Sequence, residues 1–132
     1  MNNESLNKNR FLMTELYELT MANGLFMSGK NNEIAYFDVF FRKVPDKGGF
    51  AVFAGLSRII DFIKNISFTE SDLEYLSSLG LCGEFIDYLR NFKFECDIWS
   101  VPEGTPIFPN EPVIKVRGPI VQAQLIETIH MV

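Results

Sequence analysis

The alternation of hydrophobic and polar positions in residues 14–26, TELYELTMANGLF, predicts an amphipathic helix with two semi-apolar faces. Thr14 is a favourable N-cap, and Glu15 and Glu18 lie in the first turn, where the helix dipole favours carboxylates. At about 100° per residue, one stripe is typical of a core contact. This stripe consists of Leu16, Leu19, Asn23 and Phe26, whereas the second face consists of Met13, Tyr17, Thr20, Met21 and Gly24. A surface helix with two such faces is expected to contact two partners.

Downstream, the pattern predicts short helices and strands joined by turns. Alternation in residues 34–44, IAYFDVFFRKV, predicts a strand that ends before Pro45 and the turn at residues 46–49. Helical spacing after Gly55, and after a Thr69-x-x-Asp72 start, predicts two helices, and residues 85–92 predict a third. The expected inward positions are Ala35, Phe37, Val39 and Phe41 on the strand, and Leu56, Ile59, Ile60, Ile63, Leu73, Leu76 and Leu79 on the first two helices.

The carboxyl-terminal third changes character. Residues 94–118 are rich in proline and short apolar runs, which predicts brief strands, and Gly118-Pro119 is expected to begin the last helix. That helix has an apolar line that runs to Val132 without a glycine cap. We therefore expect a polar leader at 1–13, an α+β domain at 14–118 and the start of a helix at 119–132, in a chain that is an amino-terminal portion of something longer or has its end covered by a partner.

Composition limits the function classes. The 132 residues are 47% hydrophobic and 22% charged, which is typical of a globular domain. A net charge of -5 argues against nucleic acid or an anionic membrane surface as a general partner. Thirteen phenylalanines predict an aromatic-rich core or a surface completed by a partner.

The two cysteines and the amino terminus indicate the compartment. Cys82 and Cys96 form no C-x-x-C motif and have no histidine at metal-ligand spacing, so we interpret them as buried thiols in a reducing compartment. Residues 1–10 lack the apolar region of a signal peptide, and no apolar run approaches about 18 residues. A cytoplasmic protein without a membrane-spanning segment is expected.

Three stretches carry a resemblance to a known family: ELYELTMANGLF, FDVFFRKVPDKGGFAVFAGL and VPEGTPIFPNEPVIKVRGPIVQAQLIET. Together they resemble the nicotinate phosphoribosyltransferases. The first is similar to that family's D-L-Y-x-L-T-M-A motif, the second to its strand and glycine-rich segment, and the third to the segment that leads into its barrel. The resemblance implies a hammerhead-like α+β domain of the type II phosphoribosyltransferases, with helices packed on a small mixed or antiparallel sheet. In full-length members an α/β barrel follows.

The resemblance also implies an activity. The family joins nicotinate to phosphoribosyl pyrophosphate, giving nicotinate mononucleotide and pyrophosphate, and Mg²⁺ and ATP are implied for the full-length enzymes. Most of that machinery, including a phosphate-carrying histidine, lies in the barrel. We therefore expect this chain to be inactive alone, to hold no catalytic residue, metal or cofactor, and to function within a homodimer.

Two substrate-binding residues follow from the resemblance. Tyr17 corresponds to a tyrosine that stacks on the pyridine ring from a neighbouring subunit, and Arg42 to an arginine placed to meet phosphate. Lys43 is a candidate helper on the opposite strand face, and Glu15 and Thr20 are secondary candidates. Glu15 stands where the family more often has aspartate.

Simpler interpretations stand beside these. Tyr17 fits a boundary tyrosine and Arg42 a solvated strand residue, while the lone His130 is favoured as a packed or exposed terminal side chain. The acids Glu70, Asp72 and Glu74 are favoured as a helix start over a metal site. The alternative function is a non-enzymatic interaction or assembly module that pairs with a separate barrel chain. A biotin- or lipoate-type carrier is disfavoured, because Lys115 lies inside the predicted strand VIKVR.

Overall fold

The computed structural model describes residues 16–127, which form helices and short strands in an α+β arrangement. The helices are α1 (Leu16–Met27), α2 (Leu56–Lys64), α3 (Glu70–Ser78), α4 (Gly83–Arg90) and α5 (Ile120–Leu125). The strands are β1 (Ile34–Val39), β2 (Ala51–Val52), β3 (Asp97–Ser100), β4 (Pro106–Ile107) and β5 (Ile114–Pro119). A single 3-10 turn in this part of the chain, Pro45–Lys47, follows β1.

The strands form two antiparallel sheets. β5 is the central strand of a three-stranded sheet with the order β1-β5-β3, and β2 pairs with β4 in a two-stranded sheet. Alternation along β1 agrees with the sequence, because Ala35, Phe37 and Val39 are half-buried whereas Tyr36 and Asp38 are exposed. The expected α+β class with helices on a small antiparallel sheet is confirmed.

The core has two parts that meet at α5. One part lies among α1, α3, α4 and α5 and is centred on Phe85, whose ring contacts Phe26 at a centroid distance of 5.6 Å. The other lies between the three-stranded sheet and the inner side of α5, where Val116 and Ile126 are fully buried. α5 therefore connects the helical layer to the sheet.

The amino-terminal ends of α2 and α3 are stabilised in two different ways. Thr69 caps α3 and forms a complete capping box with Asp72, as the T-x-x-D spacing predicts. Gly55 precedes α2 with φ 100°, a left-handed conformation that suits glycine. The α2 start is completed from elsewhere, because the Glu103 carboxylate accepts hydrogen bonds from the Gly55 and Ser57 N–H groups at 3.0 and 3.2 Å. Such a carboxylate satisfies donors that the helix cannot pair itself.

Several expectations about burial were wrong. Leu16 is 53% exposed, because the buried face of α1 is centred on Ala22, roughly 120° round the helix from Leu16. Leu79 and Ile60 are also exposed: Leu79 is the C-cap of α3, past the last full turn, and Ile60 lies at the edge of the inner face of α2. Cys82 and Cys96 are unlinked, as expected of free thiols, but they are half-buried and not buried as the sequence predicted.

Three boundaries also differ from the expectation. The β1 ladder ends at Val39, and Arg42 lies in the loop that follows rather than on a strand. Gly118 and Pro119 belong to β5, and α5 begins at Ile120, so Pro119 is its N-cap and not its first residue. α4 begins at Gly83, two residues before the predicted start. The first two boundaries follow from the β1–β5 ladder, which runs from Ile34 opposite Pro119 to Val39 opposite Ile114, and local patterning does not specify where such a ladder ends.

Some expectations fall outside the described residues. These are the leader at 1–13, Thr14 and Glu15 at the start of the first helix, and Ile129, His130 and Val132 at the end of the last. Within residues 16–127, no helix is long and apolar enough to cross a membrane.

Candidate functional site

α1 has two sharply different sides. Glu18, Leu19 and Ala22 are 0%, 3% and 0% exposed and face the core. The opposite side carries Tyr17 and Met21, which are 42% and 50% exposed. The second face predicted from the sequence therefore points away from the domain interior, and the ring of Tyr17 lies on it.

The rotation of α1 is fixed from its inner side. α1 packs on α5 more extensively than on the other helices. The Asn23 side-chain oxygen accepts a hydrogen bond at 3.1 Å from the N–H of Cys82, the N-cap residue of α4. This bond holds the inner side of α1 against α4, so the outward direction of Tyr17 is set by the domain itself.

Thr20 lies one turn from Tyr17, but its hydroxyl proton already takes part in a hydrogen bond. Its hydroxyl donates a hydrogen bond at 2.9 Å to the Tyr17 carbonyl oxygen within the helix. Thr20 therefore contributes a methyl group to the outward face, and its oxygen keeps capacity only as an acceptor. Glu15, the other secondary candidate, lies outside the described residues.

Polar side chains are also buried beneath this helix layer. Gln122 of α5 is 3% exposed, and its side-chain oxygen accepts a hydrogen bond from the Glu95 N–H at 2.8 Å. Burial raises the pKa of the nearby Tyr88, and a hydrogen bond with Gln122 opposes that rise. These contacts tie α5 to the segment before β3 and support the layer on which α1 rests.

Arg42 and Lys43 form the second candidate pair. Both are exposed and adjacent in the loop after β1, so they do not stand on opposite faces of a strand as the sequence predicted. No acid among residues 16–127 forms an ion pair with either side chain. Two adjacent exposed cations of this kind suit phosphate oxygens.

Unlike Arg42 and Lys43, the cations Lys115 and Arg117 of the three-stranded sheet have acidic partners. On the outer face, Arg117 bonds the Tyr36 hydroxyl at 3.0 Å and Asp97 at 3.1 Å, and both contacts raise the pKa of Arg117. Lys115 forms an ion pair with Asp38 at 3.2 Å. Lys115 is the second residue of the central strand β5 and is paired there with both neighbouring strands, so its position does not resemble that of a carrier lysine at a hairpin tip.

The structure joins some of the predicted residues and leaves others apart. Tyr17 and Thr20 share one turn of α1, and Arg42 and Lys43 share one loop, but the two pairs belong to separate elements and no recorded bond links them. Within residues 16–127 no group of three or more His, Cys, Asp or Glu side chains is placed to hold a metal ion. Sequence reasoning missed the Asn23 and Glu103 contacts, because each bonds a residue more than forty positions away.

Two solved structures share the fold of this chain. The fold matches nicotinate-nucleotide pyrophosphorylase from Pyrococcus furiosus with a TM-score of 0.64 over 97% of this chain and 25% of that chain, at 19% identity. It matches human nicotinic acid phosphoribosyltransferase with a TM-score of 0.81 and 34% identity, over 88% of this chain and 24% of that one. The fold is therefore shared with a portion of each of these two chains, and the 34% identity of the human match indicates a phosphoribosyltransferase domain.

Sequence comparison gives the family. The chain is 45% identical over 118 residues to nicotinate phosphoribosyltransferase of Bacillus subtilis and 42% identical over 118 residues to nicotinate phosphoribosyltransferase pncB2 of Mycobacterium tuberculosis. Each match covers 89% of this chain, which spans about a quarter of the length of these curated relatives. The family model of the nicotinate phosphoribosyltransferase (NAPRTase) N-terminal domain matches residues 12–132, so the chain belongs to that family.

Proposed function

We propose that this chain supplies one wall of the substrate site of a nicotinate phosphoribosyltransferase, within a homodimer whose barrel portion carries the remaining site. In the reaction, the pyridine nitrogen of nicotinate forms a bond to the ribosyl carbon of phosphoribosyl pyrophosphate, and pyrophosphate leaves with the bonding electrons. Positioning and charge stabilisation dominate such a transfer. Mg²⁺ and ATP, implied by the family, would act at the barrel portion.

Tyr17 has the ring-binding role in this proposal. The observation that carries it is the exposure of Tyr17, 42%, on a helix whose opposite face is buried in the domain core. A phenol held in this way can stack on a flat, electron-poor ring presented by a neighbouring subunit. Stacking is worth about 0.5–1.5 kcal/mol beyond the area buried.

Arg42 and Lys43 have the phosphate-binding role. Their cations face solvent without an acidic partner among residues 16–127, whereas Lys115 and Arg117 are held by acids of the sheet. The guanidinium of Arg42 can form two parallel hydrogen bonds with phosphate oxygens, and Lys43 adds a point charge. A cytoplasmic location is part of the proposal, because both cysteines are unlinked thiols.

Steady-state kinetics on a chimera tests this proposal. This chain replaces the amino-terminal quarter of the Bacillus subtilis relative, with which it shares 45% identity. We expect Tyr17→Ala to raise the KM for nicotinate by about 10-fold, since the lost stacking and burial together approach 1.4 kcal/mol. Tyr17→Phe keeps the ring and should restore the KM, and Arg42→Ala should instead raise the KM for phosphoribosyl pyrophosphate.

Tyr75 provides a matched control. It is also a helical tyrosine, 54% exposed, but it lies on α3. Tyr75→Ala should leave both KM values unchanged. An unchanged nicotinate KM in Tyr17→Ala would contradict the stacking role, and turnover by the isolated 132-residue chain would contradict the requirement for a barrel.

A further inference from the structure

Residues 108–111, FPNE, form a tight turn after β4 that has the features of a type II β-turn. The Glu111 N–H donates to the Phe108 carbonyl oxygen at 3.4 Å, which closes the four-residue turn. In a type II turn the second position favours proline, and the third requires a positive φ. Asn110 occupies the third position with φ 65°. Asparagine is one of the few residues that tolerate this left-handed region.

The left-handed conformation determines where the Asn110 N–H points. Type I and type II turns differ by a rotation of roughly 150–170° in the peptide between their two central residues. In the orientation that the structure shows, this N–H donates to the Phe41 carbonyl oxygen at 2.8 Å. A residue that resists a positive φ would favour the type I form, which turns the N–H away from Phe41.

The acceptor of this bond lies directly before Arg42, in the loop between β1 and β2 that we call the Arg42 loop. The Phe41 carbonyl and the Arg42 N–H belong to one planar peptide unit, so the bond fixes the plane from which Arg42 extends. Within the described part of the chain, residues 40–43 make no other backbone hydrogen bond. The direction of Arg42 therefore depends on the turn that follows β4.

The far end of the Arg42 loop is held by the same stretch of chain. The Phe53 N–H donates to the Thr105 carbonyl oxygen at 2.9 Å, and the Gly104 N–H donates to the Phe53 carbonyl oxygen at 2.8 Å. Gly104 has φ 81°, so a left-handed residue shapes this contact as well. Residues 104–110 thus fasten both ends of the loop, and Asn110 makes the contact that adjoins Arg42.

We propose that Asn110 is a positioning residue for the phosphate contact of Arg42, and that it acts through the type II turn and its bond to Phe41. The proposal rests on the proposed function, because it needs Arg42 to meet phosphate. A guanidinium that forms two parallel hydrogen bonds with phosphate oxygens depends on its orientation. Since Asn110 acts through its backbone, glycine can replace it, whereas a β-branched residue at a positive φ is strained.

Steady-state kinetics on the chimera with the Bacillus subtilis relative tests the proposal. Asn110→Val should raise the KM for phosphoribosyl pyrophosphate by about 10-fold, as when one hydrogen bond to a charged group is lost, and leave the KM for nicotinate unchanged. Asn110→Gly should keep the parental values. Because Asn110 acts through Arg42, the effect of Asn110→Val should fall below about 2-fold when Arg42→Ala is already present.

Gly104→Val is the matched control. It puts the same side chain at a left-handed turn position where a built Cβ meets no atom of residues 16–127 within 4 Å, but the bond made there goes to Phe53. Like Asn110→Val, it should lower the Tm of the isolated chain, because valine is strained at a positive φ. It should leave the KM for phosphoribosyl pyrophosphate unchanged, which separates positioning from general stability.

Amide hydrogen exchange, followed by NMR on the isolated chain, tests the turn without substrate. The amide of residue 110 should be protected about 5-fold more in Asn110→Gly than in Asn110→Val, because only the former keeps the bond to Phe41. The proposal is overturned if both variants protect this amide equally, if both raise the KM equally, or if Asn110→Val acts undiminished beside Arg42→Ala. A parental KM in Arg42→Ala would instead contradict the phosphate role, and with it this proposal, while the difference in amide protection would stand.

Discussion

Two glycines of this domain, Gly118 in β5 and Gly24 in α1, have opposite surroundings. A Cβ at Gly118 would lie 2.4 Å from the Cys96 sulfur and 2.8 Å from the Cys96 Cα. A Cβ at Gly24 would lie in open space. The domain itself explains the first glycine. β3 and β5 pair with Asp97 opposite Arg117, and this register brings the backbone of Cys96 close to the backbone of Gly118. The second has no such neighbour among residues 16–127, so the two positions separate a glycine required by close backbone packing from one that is not.

The largest expected effect is at Gly118. Gly118→Ala places a methyl group into the Cys96 backbone, which cannot rotate away as a flexible side chain would. We expect a loss of about 3 kcal/mol in the free energy of unfolding, measured by urea denaturation of the isolated chain. Gly24→Ala in the same assay should not lose stability. An unchanged urea midpoint for Gly118→Ala would remove the contrast between the two glycines.

The inner and outer sides of α1 give a second contrast. Asn23→Ala leaves the Cys82 N–H at the start of α4 without its acceptor, which should cost about 1.5 kcal/mol. Met21→Ala, on the exposed side of α1, should change the free energy of unfolding by less than about 0.5 kcal/mol. Asn23→Asp keeps the acceptor and adds a charge that the helix dipole favours, so it should retain stability. If Asn23→Ala and Met21→Ala lowered the free energy of unfolding equally, the exposed side of α1 would contribute to the stability of the domain as much as the inner side does.

These residues also show what the sequence could predict. The capping box of Thr69 and Asp72 and the alternation of β1 are local, so spacing alone was sufficient. The two faces of α1 were separated correctly on the outer side, since Tyr17, Thr20, Met21 and Gly24 are all exposed.

The inner side of α1 was less predictable. Glu18 is buried and Leu16 exposed, which inverts the rule that apolar residues lie inside. The hydrogen bonds of Asn23 and Glu103 join residues 59 and 48 positions apart, and only the tertiary fold brings them together. The roles of Tyr17 and Arg42 stay predictions, because their proposed ligands belong to a site that extends beyond this chain.

The smallest expected effect is a pH dependence of the free energy of unfolding, which arises at Cys96 next to the β3–β5 strand pair. Burial, followed by the charges of Asp97 and Glu95, raises the pKa of the Cys96 thiol from 9.0 to about 11. The unfolded chain loses this proton above pH 9, whereas the folded chain keeps it until about pH 11. The unfolded state therefore binds fewer protons in that interval, and the free energy of unfolding falls as pH rises through it.

Because the Cys96 thiol is half-buried, solvent screening reduces the effect to about 1 kcal/mol between pH 8 and 11. Urea denaturation of the isolated chain at pH 8, 9, 10 and 11 measures it. Tyr88 also has a raised pKa, above its ordinary 10.0, so the interval from pH 9 to 10 reports Cys96 most directly. Cys96→Ala should flatten the curve in that interval, and Cys82→Ala should not. If Cys96→Ala kept the parental slope, the burial of the Cys96 thiol would not control the alkaline stability of the chain.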